Sequence, residues 1–246
     1  MNTISVGDII TNNKGEDCLV IEYVNFKRVK VRFLDEVGFE KYVTEHALRN
    51  GFVKNPYYKS VFGVGFLGDG KFKSTNKGVK NKCYVIWYCM MERCYSKGFQ
   101  ARCPTYKGCT VCVEWHNFQV FAQWCIKNKF YDKGYHLDKD LKVKGNKVYS
   151  PDTCCFVPHE VNCLFLESTA NRGDYPIGVS LEKSSGLFSS QVSWDKGRWL
   201  GRFSTVEEAK EKYDEAKESR RKYVAEKWRG NIDEDVYAAI LSREMP

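Results

Sequence analysis

This chain of 246 residues has few histidines and no long apolar run, and one stretch of it has almost no acidic residues. Only four residues are histidine, which excludes a histidine-rich metal site. No apolar run approaches the roughly 20 residues that a membrane-spanning helix needs. The opening residues, MNTISVGDIITNN, contain neither the basic nor the apolar segment of a signal peptide. We therefore expect a protein of the cytoplasm that has no membrane partner.

Cysteine, in contrast, is abundant. The chain has 11 cysteines, an odd number, and no secretion signal accompanies them, so a disulfide framework is not expected. A structural zinc ion needs four ligands, and Cys109-x-x-Cys112 with Cys103 and either Cys154 or Cys155 is a candidate set. Because only one true C-x-x-C pair is present, the pattern favours buried thiols over zinc.

Acidic residues are almost absent from residues 71–107, in a chain whose formal net charge is +8. Glu92 is the one acid in this segment, against nine basic residues: Lys71, Lys73, Lys77, Lys80, Lys82, Arg93, Lys97, Arg102 and Lys107. Aromatic residues, among them Phe72, Trp87 and Tyr88, are interleaved with these charges. A charge run is often only a solvated face, but the aromatic residues favour a nucleic-acid track.

The first 62 residues predict a small β module. Short β-rich runs at 6–10, 18–23 and 29–33 are separated by turn residues. Val29, Val31 and Phe33 alternate with Lys30 and Arg32, so we expect the first three to point inward. An SH3-like barrel and an open meander both fit, and the basic alternate positions face either solvent or a partner.

Residues 63–70, GVGFLGDG, contain the pattern G-x-G-x-x-G. The basic, turn-rich KFKSTNKGVKN that follows does not begin a helix, so no helix N-terminus is available for a pyrophosphate. We therefore interpret this segment as a flexible glycine linker. After it, apolar residues at 84, 87, 88 and 91 predict one helix, and the run 115–126 predicts another with Asn117 as its N-cap.

The region from Tyr135 to Asn162, YHLDKDLKVKGNKVYSPDTCCFVPHEVN, contains an Asp-x-Asp pair, a basic Gly-Asn turn and the run Tyr-Ser-Pro-Asp-Thr-Cys-Cys-Phe-Val. With the ordered Trp, Met, Cys and Phe positions that precede it, this region resembles the phage-borne HNH homing-endonuclease-like family over residues 84–165. The resemblance implies a ββα centre that holds one Mg²⁺ or Mn²⁺ ion and cleaves DNA.

The same resemblance assigns roles to four residues. It places metal carboxylates at Asp138 and Asp140, and it implies catalytic positions at Asp138, Lys139 and Thr153. Lys139 and Thr153 stand where the family has its base histidine and its asparagine. Because an ordinary lysine is charged at neutral pH and cannot accept a proton from water, His136, two residues before Asp138 on the same strand face, is an alternative base.

The C-terminal region predicts a three-stranded sheet followed by two helices. The β-rich runs are 177–181, 187–194 and 198–203. Ser204 as cap with Glu207 predicts the first helix, which Gly230 ends. The apolar face of this helix comprises Val206, Ala209, Tyr213 and Ala216. A second helix, capped at Asn231, has Ile232, Val236 and Ile240 on its apolar side.

The order Gly-Val, Trp-Leu-Gly-x-Phe-x-Thr, Glu-Glu-Ala and Tyr-Asp-x-Ala in this region resembles the plant ethylene-response-factor (Apetala-two type) DNA-binding domain. The resemblance implies a sheet that enters the major groove, with Val179, Leu181 and Val192 facing the helix. The implied DNA contacts are Ser180, Lys183, Gln191, Ser193, Arg198 and Trp199. The arginines of the plant domain's first strand are replaced here by Ile177, Ser180 and Glu182, which weakens arginine readout of guanine. A small domain for protein contact is the alternative.

Taken together, the sequence predicts an α+β protein with three parts: an N-terminal β module at 1–62, an HNH-endonuclease-like domain at 71–168 and a DNA-binding domain at 171–246. We expect a protein that binds double-stranded DNA in a phage-infected cell, in the host cytoplasm, and that cleaves it if the centre is active. The alternative is a catalytically inactive DNA-binding or regulatory protein, or an interaction protein that acts on a host factor.

Overall fold

The computed structural model describes residues 3–165, 174–194 and 196–242. It confirms the α+β class, since helices and several small sheets are both present. The chain forms two compact units, residues 1–125 and 126–246; the three-part division of the sequence stays a prediction. No helix in the described ranges is long and apolar enough to cross a membrane.

The first unit begins with a four-stranded antiparallel meander. Its strands are β1 (Ile9–Thr11), β2 (Asp17–Asn25), β3 (Arg28–Phe33) and β4 (Glu40–Val43), in that order, and helix α1 (Glu45–Arg49) follows. Val29, Val31 and Phe33 of β3 are buried, as predicted, in a core shared with Cys18, Val20 and Leu48. The meander alternative is confirmed, and its fourth strand went unpredicted.

The glycine-rich segment 63–70 is packed against other residues of the first unit, so the prediction of a flexible linker was wrong. Phe66 donates to the His116 carbonyl and accepts from the Phe118 N–H, both at 3.0 Å. A Cβ on Gly65 would lie 2.8 Å from the Trp87 ring, and one on Gly68 would lie 2.1 Å from Asn117 Oδ1. The glycines are therefore required because backbone and side chains approach closely here.

Three helices complete the first unit. A hairpin of two short strands, β5 (Thr75–Asn76) and β6 (Val79–Lys80), comes first. It is followed by α2 (Lys82–Tyr95), α3 (Lys97–Arg102), the short strand β7 (Thr110–Val111) and α4 (Phe118–Lys127). Asn81 caps α2, and Asn117 Oδ1 accepts from the Gln119 N–H at 2.9 Å at the start of α4, which confirms the predicted cap. Trp87 is fully buried, and its Nε1 donates to the Trp115 carbonyl at 2.7 Å.

The second unit contains a short hairpin and a shared core. Strand β8 (His136–Asp138) pairs antiparallel with β10 (Cys155–Val157); β9 (Val148–Tyr149) lies between them in sequence, and α5 (His159–Asn162) follows. The core combines side chains from the hairpin, α5 and the C-terminal helices: Leu141, Cys155, Val157, Val161, Leu164, Val224, Ala225, Ile232, Val236 and Ile240. The hairpin is thus held in place by the C-terminal end of the chain.

The C-terminal sheet has the predicted three strands, β11 (Val179–Glu182), β12 (Leu187–Gln191) and β13 (Trp199–Phe203), in antiparallel order. Helix α6 (Val206–Trp228) packs against all three strands. Its capping box lies one residue later than predicted: the Thr205 side chain accepts from the Glu208 N–H, and the Glu208 side chain accepts from the Thr205 N–H. Ser204 and Glu207 are therefore not the cap pair.

The last helix, α7 (Glu234–Ser242), begins three residues after Asn231, the predicted cap. The Tyr237 N–H donates to the Asp233 carbonyl at 2.9 Å, so Asp233 occupies the cap position. The predicted apolar side is confirmed, because Ile232, Val236 and Ile240 are all buried. Buried Arg221 of α6 donates to the Ile240 and Leu241 carbonyls at the end of α7, which satisfies groups that the helix leaves unpaired.

Candidate functional site: the central hairpin and the outer face of the C-terminal sheet

Asp138 ends strand β8 and organises the turn that follows. Its Oδ1 accepts from the Asp140 N–H at 2.9 Å and from the Leu141 N–H at 2.7 Å, the side-chain-to-backbone pattern of an Asx turn. Burial and the neighbouring charge of Asp140 raise the pKa of Asp138 above its ordinary value, against the two N–H donors that favour the charged form. One carboxylate oxygen of the candidate metal ligand is thus already engaged by the backbone.

Lys139 lies at the position that the resemblance gives to the catalytic base. Lys139 is 8% exposed, and its ammonium group lies 3.1 Å from Asp140 Oδ2 and 5.9 Å from the centre of the Tyr149 ring. The lysine is therefore paired with the second candidate metal carboxylate. Through this pair Lys139 places positive charge beside the Asp140 carboxylate within the hairpin.

Thr153 and His136 occupy different surroundings. The Thr153 hydroxyl donates to the Val148 carbonyl at 2.8 Å and lies 2.9 Å from Ser150 Oγ, so it stabilises the turn before β10. His136 is exposed at the start of β8, and its ring centre lies 5.1 Å from that of His159 on α5. His159 follows β10 closely in sequence, and the pairing of Val157 with His136 across the hairpin brings the two histidine rings together.

The donors of the hairpin do not fit a magnesium or manganese site as they are arranged. Asp138 Oδ1 is taken by two N–H groups and Asp140 Oδ2 by Lys139, whereas Mg²⁺ requires carboxylate oxygens that are open to it. Within the part of the chain that the structure describes, no group of three or more His, Cys, Asp or Glu side chains is arranged to hold a metal ion. The metal ligands stay a prediction.

The cysteines of the candidate zinc set differ in exposure. Cys109 is buried, Cys103 and Cys112 are half-buried, and burial raises the pKa of Cys112 to about 11. A thiol with that pKa is protonated at neutral pH, whereas zinc is bound by the thiolate. No disulfide joins two cysteines among the described residues.

The outer face of the C-terminal sheet is the surface opposite helix α6. Strand pairing aligns Ser180 with Ser189 and Arg202, and Gln191 with Trp199, and residues directly opposite each other share one face. On the helix side, Val179 and Val192 are buried and a Cβ on Gly178 would meet the Tyr213 ring at 2.1 Å. Three predicted DNA contacts, Ser180, Gln191 and Trp199, therefore lie together on the exposed side.

Trp199 is the largest feature of this outer face. It is 58% exposed, and its Nε1 donates to Ser189 Oγ at 3.2 Å, which orients the indole across the neighbouring strand. Lys183 lies in the turn after β11, and Ser193 and Arg198 lie at the ends of the β12–β13 connection; all three are exposed. Arg198 therefore directly precedes the tryptophan, whereas Lys183 lies at the opposite end of the sheet. Leu181, predicted to face the helix, is 36% exposed.

Two residues of the outer face were missed by sequence reasoning. Arg202 donates to Glu182 at 2.7 Å, across the sheet, and Ser189 holds Trp199. The hydrogen bonds from Arg202 and Ser185 lower the pKa of Glu182. Arg202 follows Trp199 by three residues, so strict alternation along β13 would put the two side chains on opposite faces of the sheet. The bulge at Ser190/Gln191 shifts the register and puts both on one face.

The basic segment 71–107 uses most of its aromatic rings internally. Trp87 is inaccessible to a ligand, Arg93 lies 5.7 Å from the centre of the Tyr106 ring, and Arg102 lies 5.8 Å from that of Phe99. The Tyr106 and Phe99 rings pack against cations of the same segment. The lysines at 71, 73, 77, 80 and 82 are exposed, so the start of the segment carries its accessible charge.

Comparisons of the chain with models of known protein families, with curated proteins and with solved structures found no match.

Proposed function

We propose that this protein binds double-stranded DNA through the outer face of its C-terminal sheet. The observation that carries the proposal is the position of Trp199, 58% exposed and oriented by Ser189, with Ser180 and Gln191 on the same face. A two- or three-stranded sheet is narrow enough to enter the major groove. Hydroxyl and amide groups then reach base edges while the indole supplies apolar contact area.

Charge at the rim of this face supports the same conclusion. Lys183 and Arg198 are exposed, and neither forms an ion pair with an acid in the described part of the chain. Unpaired cations beside a groove-binding surface neutralise phosphates and release counterions, which supplies most of the non-specific affinity for DNA. The bases are read by Gln191 and the serines, and the phosphates are held by Lys183 and Arg198.

The test is the salt dependence of duplex binding, measured by fluorescence anisotropy. Lys183→Gln and Arg198→Gln should each reduce the slope of log affinity against log salt by about 0.9. Lys27→Gln, which removes an exposed lysine of the β2–β3 turn, should leave the slope unchanged. Affinity for duplex DNA no greater than that of a neutral protein at about 100 mM salt would refute the proposal.

Cleavage is the second candidate function, and the pair of histidine rings on β8 and α5 favours it. His136 and His159 lie 5.1 Å apart between ring centres, beside the strand that ends in Asp138. Imidazole is the side chain that most often serves as a general base in catalysis. No step is assigned to a metal ion, because the carboxylates do not fit one as arranged.

A plasmid-nicking assay with Mg²⁺, Mn²⁺ and EDTA distinguishes the two candidates. If the hairpin is catalytic, nicking is lost in Asp138→Ala and His136→Ala while duplex affinity is retained, and the EDTA sample shows whether a metal ion takes part. If neither metal supports nicking in a protein that binds duplex DNA, the chain is a catalytically inactive DNA-binding or regulatory protein.

A further inference from the structure

The first unit contains an open cavity of about 1040 Å³ that the DNA-binding proposal does not use. One wall comes from the β1–β2 turn and strand β4, the floor from residues 51–56, and the other wall from residues 67–74. All lining residues belong to the first unit. A cavity of this volume accommodates a ligand of several hundred daltons.

The floor and far wall of the cavity are preformed. The Asn55 side-chain amide donates to Glu16 at 2.9 Å and to Asp35 at 2.7 Å, and the Asn12 amide donates to the Val53 carbonyl at 3.0 Å. Gln119 bonds both the N–H and the carbonyl of Phe72, at 3.0 Å and 2.9 Å. Since these side chains fix the backbone on two sides, a ligand does not have to order the cavity when it binds.

The charge of the lining is positive. Four lysines line the cavity: Lys14, Lys41, Lys54 and Lys73. Of the two acids there, Glu16 already accepts from Asn12 and Asn55, and Asp69 is exposed. Within the described residues, none of the four ammonium groups forms an ion pair. Ammonium groups without a carboxylate partner suit a ligand that carries several phosphate charges.

The lining also offers an aromatic surface. Phe52 is 60% exposed at the floor, and Phe39, Tyr58 and Phe72 line the cavity with it. An exposed phenylalanine beside unpaired lysines is the combination that single-stranded nucleic acid requires, because bases stack on the ring while phosphates follow the cations.

Beyond the cavity the positive charge continues along the chain. Lys73 and Ser74 line the wall, and the next residues form the β5–β6 hairpin, which exposes Lys77 and Lys80. A cavity for one free nucleotide needs no charge outside its walls. A strand that passes through the cavity brings further phosphates to the hairpin, so the extended charge favours a chain.

From this cavity and its extension we infer a second nucleic-acid site, which binds a single strand with a base on Phe52 and its phosphates on Lys54, Lys73 and the β5–β6 hairpin. The site lies in the first unit and takes unpaired nucleotides, whereas the outer face of the C-terminal sheet takes duplex. The two sites therefore bind different ligands, and each can be impaired by substitutions that leave the other intact.

The experiment measures binding of fluorescent oligodeoxythymidine to the full chain at several salt concentrations. Lys54→Glu should weaken binding about tenfold or more, and Lys73→Gln should reduce the salt slope by about 0.7. Phe52→Ala should weaken binding at least about fivefold, and an abasic oligonucleotide of the same length should bind the unmodified chain about as weakly. Thermal unfolding of each variant checks that the first unit stays folded; these side chains are exposed, so little change is expected.

Three controls decide the outcome. Lys27→Glu makes the same charge reversal away from the cavity and should leave affinity within about twofold; an equal loss in Lys27→Glu and Lys54→Glu would overturn the site. Trp199→Ala should weaken duplex binding and leave oligodeoxythymidine affinity unchanged. Binding of free deoxynucleotides without binding of the oligonucleotide would also overturn the inference, as would equal affinity for the abasic strand.

Discussion

The N-terminal meander and the C-terminal sheet are both antiparallel and both bury one face, yet they treat the charges on the other face differently. In the meander, Glu40 binds Lys30 at 2.7 Å and Arg32 at 2.6 Å. In the C-terminal sheet, Arg202 is paired with Glu182, while Lys183 and Arg198 at the rim have no acidic partner among the described residues. Alternating basic residues therefore indicate a binding surface only when no carboxylate on the same face neutralises them.

The two sheets also differ in what completes their cores. The meander closes a core within residues 4–53, with only the short helix α1 against it. The C-terminal sheet buries Val179 and Ser190 against α6, and the second half of α6 enters the core that holds the central hairpin. Damage to the C-terminal sheet is thus expected to reach the hairpin, whereas the meander has a core of its own.

The largest expected effect is the loss of the meander core in Phe33→Ala. Phe33 is 1% exposed, and removing a buried phenylalanine side chain costs about 3–5 kcal/mol through lost burial and the cavity that remains. Chemical denaturation followed by tryptophan fluorescence measures the loss. Duplex affinity should be retained at low denaturant; a parallel loss of DNA binding would show that the sheets are not independent.

Gly178→Ala tests the attachment of the C-terminal sheet to α6. The added Cβ would lie 2.1 Å from the Tyr213 ring and 2.8 Å from the Gln191 carbonyl, at a φ of +79°. Overpacking and the left-handed backbone together should cost about 3 kcal/mol, with loss of duplex binding. Gly186→Ala, at φ +71° with open space around it, is the matched control and should cost about 1–2 kcal/mol.

Glu182→Gln and Glu40→Gln sharpen the contrast in charge. Removing the Glu182 charge frees Arg202 beside Trp199, so duplex affinity should rise severalfold and the salt slope should increase by about 0.9. Removing the Glu40 charge frees two cations on the meander, which is not the proposed duplex surface. If Glu40→Gln raises duplex affinity as much as Glu182→Gln does, the affinity follows net charge alone.

The smallest effect is a difference in titration between the two carboxylates. Hydrogen bonds from Lys30 and Arg32 lower the pKa of Glu40, and those from Arg202 and Ser185 lower the pKa of Glu182. The ion pairs of both carboxylates therefore stabilise the fold above the ordinary glutamate pKa, and that stabilisation is lost as the pH falls through the lowered values. Arg202→Gln should return the Glu182 pKa most of the way to the ordinary glutamate value. Lys30→Gln should change the Glu40 pKa less, because Arg32 still donates to that carboxylate. Carbon-detected NMR titration measures both.

The accuracy of the sequence predictions differs between the elements and the candidate site. The first three strands of the meander, the three strands of the C-terminal sheet, the cap at Asn117 and the apolar side of α7 follow from local periodicity and turn chemistry, and the structure confirms them. The capping box moved by one residue, because Ser204 and Thr205 are adjacent and both are good caps. At the hairpin, sequence order alone did not indicate that Lys139 pairs with Asp140 or that His136 meets His159.

The sequence by itself determined most of the strands, the longer helices and their apolar sides, because those properties depend on neighbours one to four positions away. Only the tertiary structure decided that the glycines at 65 and 68 pack against Trp87 and Asn117, that Trp87 is inaccessible to a ligand, and that Glu40 neutralises Lys30 and Arg32. These outcomes depend on side chains from other elements, often distant in sequence. A pattern read along the chain reports the period of an element, whereas the availability of a charge or a ring for a partner is set by what packs beside it.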